Sequence, residues 1–158
     1  MTGNGIVEAR GTDLAGNVSA SGVYNVNNID KRTFGEKVVD TAMTFQGKVT
    51  YKFGTRDIPN LIFDCSSFTQ YVFKLNGQSI PWSSKLQANV GTYVSKDQLQ
   101  VGDLVFLSVG VPGQIDHVGI YVGNDLFINN VPNHGVMISN LNSTYWKSRY
   151  ITARRVSG

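Results

Sequence analysis

Hydrophobic positions along the chain follow two different periods. Val38, Ala42 and Phe45 recur at helical spacing behind Thr33 and Glu36, which stand three residues apart as a capping box, and Gly47 supplies a stop. Phe68, Tyr71, Val72 and Leu75 fall at i, i+3, i+4 and i+7, with Asp64 as an N-cap before them and Gly77 as a stop after them. The spacing therefore predicts a second helix starting near Cys65. A short helical stretch is expected around residues 84–90. Beyond it come apolar runs at 104–107, 118–122, 126–128, 136–138 and 150–153, each bounded by Gly, Asn, Asp or Pro, which read as strands. Helices first and an antiparallel sheet afterwards is an α+β plan.

The first 28 residues read differently. Residues 6–10 and 22–26 have strand character on either side of a turn-rich stretch, a hairpin-like piece too small to fold alone. The expected organisation is a strand-rich appendage over 1–28 and one catalytic domain over 29–158.

Composition narrows the function classes. With 41% hydrophobic and 16% charged residues the chain is ordinary for a globular domain. No apolar run approaches the ~18 residues that span a bilayer, so no membrane insertion is expected. The net charge of +3 is small, and Lys31-Arg32 and Arg154-Arg155 are isolated basic pairs without interleaved aromatics, which argues against nucleic acid as a partner. A monomer is expected. The one cysteine excludes an internal disulfide and any zinc site built on several thiolates. Met1 opens onto Thr-Gly-Asn-Gly without a basic and apolar leader, so action outside the cell would need a signal in a longer parent or another route of release.

Cys65 at the first turn of a helix would meet unpaired backbone N–H groups and the positive end of the helix dipole, which stabilise a thiolate and lower its pKa. Asp64, Ser66 and Ser67 make its surroundings a polar helix entrance. A base is needed opposite, and the chain has two histidines, His117 and His134. In a strand His117, Gly119 and Tyr121 share one face and Val118, Ile120 and Val122 the other. The valine and isoleucine face is the natural core face, which leaves His117 free to look towards the Cys65 helix, with Gly119 making room for substrate or a third group. That third group depends on register. A three-residue turn of Gly123, Asn124 and Asp125 pairs Val122 with Leu126 and sets Asn129 opposite Gly119, whereas a two-residue turn points Asn129 away and makes Asn130 or His134 the candidate.

Three blocks follow in order: Phe63-Asp64-Cys65-Ser66-Ser67-Phe68, Gln100-Val101-Gly102-Asp103-Leu104-Val105-Phe106, and Asp116-His117-Val118-Gly119-Ile120-Tyr121-Val122-Gly123 followed by Phe127-Ile128-Asn129. On these blocks the chain, from about Phe34 to Arg155, resembles the NlpC/P60 cell-wall cysteine peptidases. The resemblance implies a papain-like α+β fold with helices packed on an antiparallel sheet, Cys65 as nucleophile, His117 as general base and Asn129 as the orienting residue. It further implies that Tyr51, Asp64 and Ser66 help bind substrate, that the substrate is a peptidoglycan stem peptide cut between D-γ-glutamate and a diamino acid, and that no cofactor or metal is needed. Extracellular or cell-wall action follows, in a host cell or from a phage or mobile element. Three departures stand out: Ser67 in place of a usual Gly, Phe53 and Thr55 in place of Trp and Gly, and Asn129 in place of His. Ser67 at the helix start would narrow the groove there. The stretch 9–17 resembles the segment between the last two strands of bacterial immunoglobulin-like repeats. The competing readings are a CHAP-type amidase or transferase with the same Cys-then-His order, and a wall-binding module that kept the fold without activity.

Overall fold

The computed structural model describes residues 31–157, of which residues 32–157 lie in one compact unit. The appendage expected over 1–28 lies outside the described residues. Helix α1 (Phe34–Met43) starts as the capping box requires: the Thr33 hydroxyl accepts from the Glu36 N–H at 3.1 Å and the Glu36 carboxylate accepts from the Thr33 N–H at 2.8 Å. Its buried face is Val38, Val39 and Ala42. Three strands of two residues each follow, β1 (Thr50–Tyr51), β2 (Arg56–Asp57) and β3 (Ile62–Phe63), in a small sheet of order β1-β3-β2. Strands this short carry no alternation for a sequence pattern to show.

Helix α2 (Cys65–Leu75) is capped by Asp64, whose carboxylate accepts from the Ser67 N–H at 2.7 Å. Ser67 returns the bond to the Asp64 N–H at 3.0 Å and donates to the Thr55 carbonyl at 2.8 Å. It is fully buried, so it ties the helix entrance to the preceding loop and does not narrow the groove as expected. Phe68 and Val72 are buried, but Leu75 is half exposed where the helix runs past the edge of the core.

After α3 (Ser84–Gln87) come β4 (Thr92–Tyr93), β5 (Leu104–Leu107), β6 (His117–Gly123), β7 (Leu126–Val131), β8 (Gly135–Asn140), the four-residue α4 (Thr144–Lys147) and β9 (Tyr150–Arg155). They build a six-stranded sheet of order β4-β9-β5-β6-β7-β8, antiparallel at every junction. Both faces are covered. Leu104, Phe106, Val118, Ile120 and Ile128 pack with α1 and α2, and Val105, Leu107, Tyr121, Phe127 and Ala153 pack on the other side with Leu141 and Trp146. Each fully buried aliphatic or aromatic side chain contributes about 1.5–3 kcal/mol. No helix among the described residues is long and apolar enough to cross a membrane.

Two local features set the register. Gly102 has φ +96°, and a Cβ there would lie 2.2 Å from the Gly35 Cα, so only glycine lets this turn touch the start of α1. Next to it Asp103, 2% exposed, takes both Arg155 Nε and Nη2 at 2.9 Å and the Gln100 N–H at 2.8 Å. The Gly-Asp pair of the second block is thus a structural corner joining β5 to β9. At the β6–β7 hairpin the turn is two residues, Asn124 and Asp125 at φ +54° and +63°, not the three expected. Leu126 pairs with Gly123, but an irregularity between Tyr121 and Gly123 adds a residue to β6 and restores the Tyr121–Phe127 and Ile120–Ile128 pairs. Asn129 therefore still arrives beside Gly119.

Candidate active site

Cys65 is the first residue of α2 and is 9% exposed. The helix packs against the Val118 and Ile120 face of β6, which places His117 on the opposite face, contrary to the expectation that its face looks at α2. Cys65 instead reaches the end of the strand, at the residues on either side of His117. The thiol donates to the Asp116 carbonyl at 3.9 Å and takes a hydrogen bond from the Val118 N–H, so it is bracketed by both chain neighbours of His117.

His117 is 4% exposed, and its Nε2 lies 2.8 Å from Asn129 Oδ1. The direction of that bond is fixed from behind. Asn129 Nδ2 donates to the Met137 carbonyl at 3.0 Å and to Ser139 Oγ at 3.2 Å, so its oxygen must face the imidazole and accept. Nε2 then carries the proton and Nδ1 is left with a lone pair. Trp146 stacks on the imidazole with ring centres 5.1 Å apart and planes at 15°. It comes from α4, whose single turn is too short to reveal itself by periodicity. The room expected at Gly119 is taken by the third group: a Cβ there would stand 2.6 Å from Phe127 Cδ2, 2.9 Å from the Ile128 carbonyl and 3.1 Å from Asn129 Cβ. Gly119→Ala should therefore displace Asn129 and slow any reaction that depends on the position of the imidazole about 10- to 100-fold. Steady-state rates and a thermal melt on the same sample check this; an unchanged rate per folded molecule would contradict it.

The other two candidates for the third position are placed differently, although His134 lines the same cavity as His117. Asn130 points to the opposite face of β7, and His134 is exposed on the turn after it.

Charge at the site does not follow the simple helix-dipole argument. Burial, and next the nearby Asp64 carboxylate, push the Cys65 thiol up to about 12, and the hydrogen bonds from the Val118, Ser66 and Cys65 N–H groups only partly offset them. Burial holds the His117 imidazole below its ordinary value, with the Asn129 bond and Asp116 acting the other way. At neutral pH both partners are uncharged. Tyr51 is raised by burial and then by Cys65, Asp64 and Asp116, so its phenol keeps the proton and is a donor.

Two cavities open on this pair. One of about 410 Å³ contains Cys65 with Asp64, Ser66, Tyr51 and Trp82. The second, about 630 Å³, contains His117 with Val131, Met137, Tyr145 and Trp146. Tyr51, Phe53 and Asp116 line both, so the cavities adjoin along these residues, with the thiol in one and the imidazole in the other. Phe53 is 87% exposed on that shared lip. Trp82, which no sequence signal marked, donates its indole N–H to both Asp64 oxygens at 3.3 Å, and the Arg56 guanidinium lies 4.7 Å over its ring. The Asp116 carboxylate accepts from the Val109 N–H at 2.6 Å and the Gly110 N–H at 2.9 Å, which fixes the loop before β6.

Comparison with known proteins identifies the family of the domain that carries this site. The chain is 38% identical over 132 residues to the murein DD-endopeptidase MepS/murein LD-carboxypeptidase of Escherichia coli, covering 83% of this chain and 66% of that protein. It is 46% identical over 84 residues to the probable endopeptidase p60 of Listeria innocua, covering 53% of this chain and 17% of that one. The chain thus spans two thirds or less of the length of these relatives. Among solved structures, an NlpC/P60 family protein from Bacillus cereus superposes with a TM-score of 0.70 at 30% identity, over 82% of this chain and 42% of that one. The NlpC/p60 domain of the peptidoglycan hydrolase SagA does so with a TM-score of 0.64 at 30% identity, over 77% of this chain and 98% of that domain. The NlpC/P60 family profile matches residues 47–155, which include Cys65, His117 and Asn129, and the chain belongs to that family.

Proposed function

We propose that this chain is a peptidoglycan hydrolase, a cysteine endopeptidase of stem peptides in which Cys65 is the nucleophile, His117 the general base and Asn129 the residue that sets the imidazole tautomer. The observation that carries the reading is the fixed Asn129 amide, which leaves His117 Nδ1 as the proton acceptor on a ring whose chain neighbours hold the Cys65 thiol. Proton transfer from Sγ to Nδ1 accompanies attack on the scissile carbonyl. The oxyanion forms near the Cys65 backbone N–H, and the Tyr51 phenol supplies a second donor. The imidazolium returns its proton to the departing amine, leaving a thioester, and water hydrolyses that with His117 again as base.

Asp64 and Ser66 line the cavity on the thiol side and suit a polar or cationic group of the acyl segment. Open space on both sides of the pair suits a bond inside a peptide, as in an endopeptidase. The catalytic domain is residues 29–158, acting on the cell wall. The bond proposed is that between D-γ-glutamate and a diamino acid. The likeness to a protein named a DD-endopeptidase favours a second reading, cleavage of a cross-link, while a Bacillus licheniformis relative, 32% identical over 121 residues, is named a peptidoglycan DL-endopeptidase.

Mass spectrometry of peptidoglycan digested by the full chain separates these. New fragments ending in D-glutamate support the first bond, and conversion of cross-linked dimers to monomers supports the second. Release of intact stem peptides from sugar would replace both with an amidase, and an intact wall would contradict all three.

A further inference from the structure

We propose that Asn130, which the reaction scheme above does not use, is a positioning residue that sets the distance between Cys65 and His117; the proposal rests on that scheme. Asn130 is fully buried on β7, directly after Asn129. Successive residues of a strand point to opposite faces. Asn129 faces one way and holds the imidazole; Asn130 faces the other way, and its Nδ2 donates to the Phe63 carbonyl at 2.9 Å and the Asp64 carbonyl at 3.1 Å. Those are the two residues that lead into Cys65. One strand thus grips the base with one side chain and the approach to the nucleophile with the next.

The bonds are not there to satisfy orphaned carbonyls. The Phe63 carbonyl already accepts from the Lys52 N–H at 3.0 Å, and the Asp64 carbonyl from the Phe68 N–H at 3.3 Å in the first turn of α2. Moreover, Asn130 Oδ1 is buried and has no hydrogen-bond partner among the described residues. A buried amide oxygen in that state destabilises a fold, and an apolar residue of similar volume would avoid it. The amide is therefore costly where packing alone would be served by leucine. What it supplies is a tether from β7 of the large sheet to the two residues before α2, beside a thiol that itself reaches only the edge of that sheet, at the Val118 N–H and the Asp116 carbonyl, the latter at 3.9 Å.

The test is a double-mutant cycle on the full chain: wild type, Asn130→Ala, His117→Ala and the double variant, read by the rate of Cys65 alkylation with iodoacetamide at neutral pH. Asn130→Leu replaces Asn130→Ala in a second cycle, since it fills the space and removes the unpaired oxygen. The two side chains are not in contact, so a purely structural Asn130 predicts effects that multiply within about twofold. Positioning predicts a coupling of at least about fivefold, because a displaced imidazole has little left to lose on truncation. It also predicts that Asn130→Leu lowers kcat on peptidoglycan with KM changed less, even if its thermal midpoint rises. Multiplicative effects in both cycles, or wild-type alkylation and kcat in Asn130→Leu, would overturn the proposal. The alkylation cycle needs no substrate, so failure of the wild type to digest peptidoglycan counts against the peptidase reading alone.

Discussion

Replacing Cys65 by alanine is expected to lower peptidoglycan hydrolysis by at least about 10⁴-fold, because in the proposed scheme Cys65 is the nucleophile and the other catalytic groups act only through it. The fold should survive. Asp64 still caps α2 through the Ser67 N–H, and the sulfur is one small member of a core that also holds Phe63, Phe68 and Val72. The same variant reports the state of the thiol through its stability. Cys65 titrates at about 12 in the folded chain against an ordinary 9.0, so folding favours the neutral form. Its contribution is fully present below pH 9.0 and is lost as pH rises towards about 12. Denaturant titrations of wild type and Cys65→Ala should therefore run parallel at neutral pH. Above pH 9 the variant should gain on the wild type by about 1.4 kcal/mol per pH unit. A constant difference across that range would mean that the thiol is not held protonated by its surroundings.

That protonated thiol marks where the sequence stopped being sufficient. The caps at Thr33 and Asp64 and the spacing of apolar residues behind them located α1 and α2, because capping and helical periodicity are local and leave a local trace. The same logic placed Cys65 at a helix start. It did not reveal that the site is buried beside a carboxylate, since burial depends on how β6 and β7 come to lie over the helix entrance. The His117 face was misplaced for a related reason. Alternation shows which residues share a face, but Trp146, Leu141 and Phe127 make the second face a core too, so an apolar face was no guide to which side α2 covers. Beyond the family resemblance, Asn129 was reachable from the residues themselves only through register. The two-residue turn argues against it, and the extra residue in β6 reverses that outcome, a bulge no sequence pattern announced. The Gly-Asp corner at Gly102 and Asp103 was visible as a motif, yet its partners Gly35 and Arg155 lie far along the chain and only the folded structure joins them.

The neutral pair also gives the second large effect, at His117. Truncation to alanine should cost about 10²- to 10⁴-fold in kcat/KM near neutrality, the usual worth of a positioned general base. More telling is the change in pH dependence. In the proposed scheme the base is the neutral His117 imidazole, lowered by burial, so the acid limb of the profile should fall below the ordinary histidine range of about 6.5, with a plateau through neutral pH. Thiol ionisation cannot produce that plateau, since so little thiolate exists there. Without the imidazole, the thiolate in free equilibrium is the only nucleophile left, and the rate of His117→Ala should climb about tenfold per pH unit from pH 7 to 9. The wild type stays flat over the same span. Stability adds an independent sign: the folded chain disfavours imidazolium, so the contribution of neutral His117 is fully present above about pH 6.5 and is lost as pH falls below it, and His117→Ala should be spared that part of the loss. If the variant instead kept a flat profile, the proton acceptor for Cys65 would have to be another group, and the fixed Asn129 amide would be holding a ring that takes no part in the transfer.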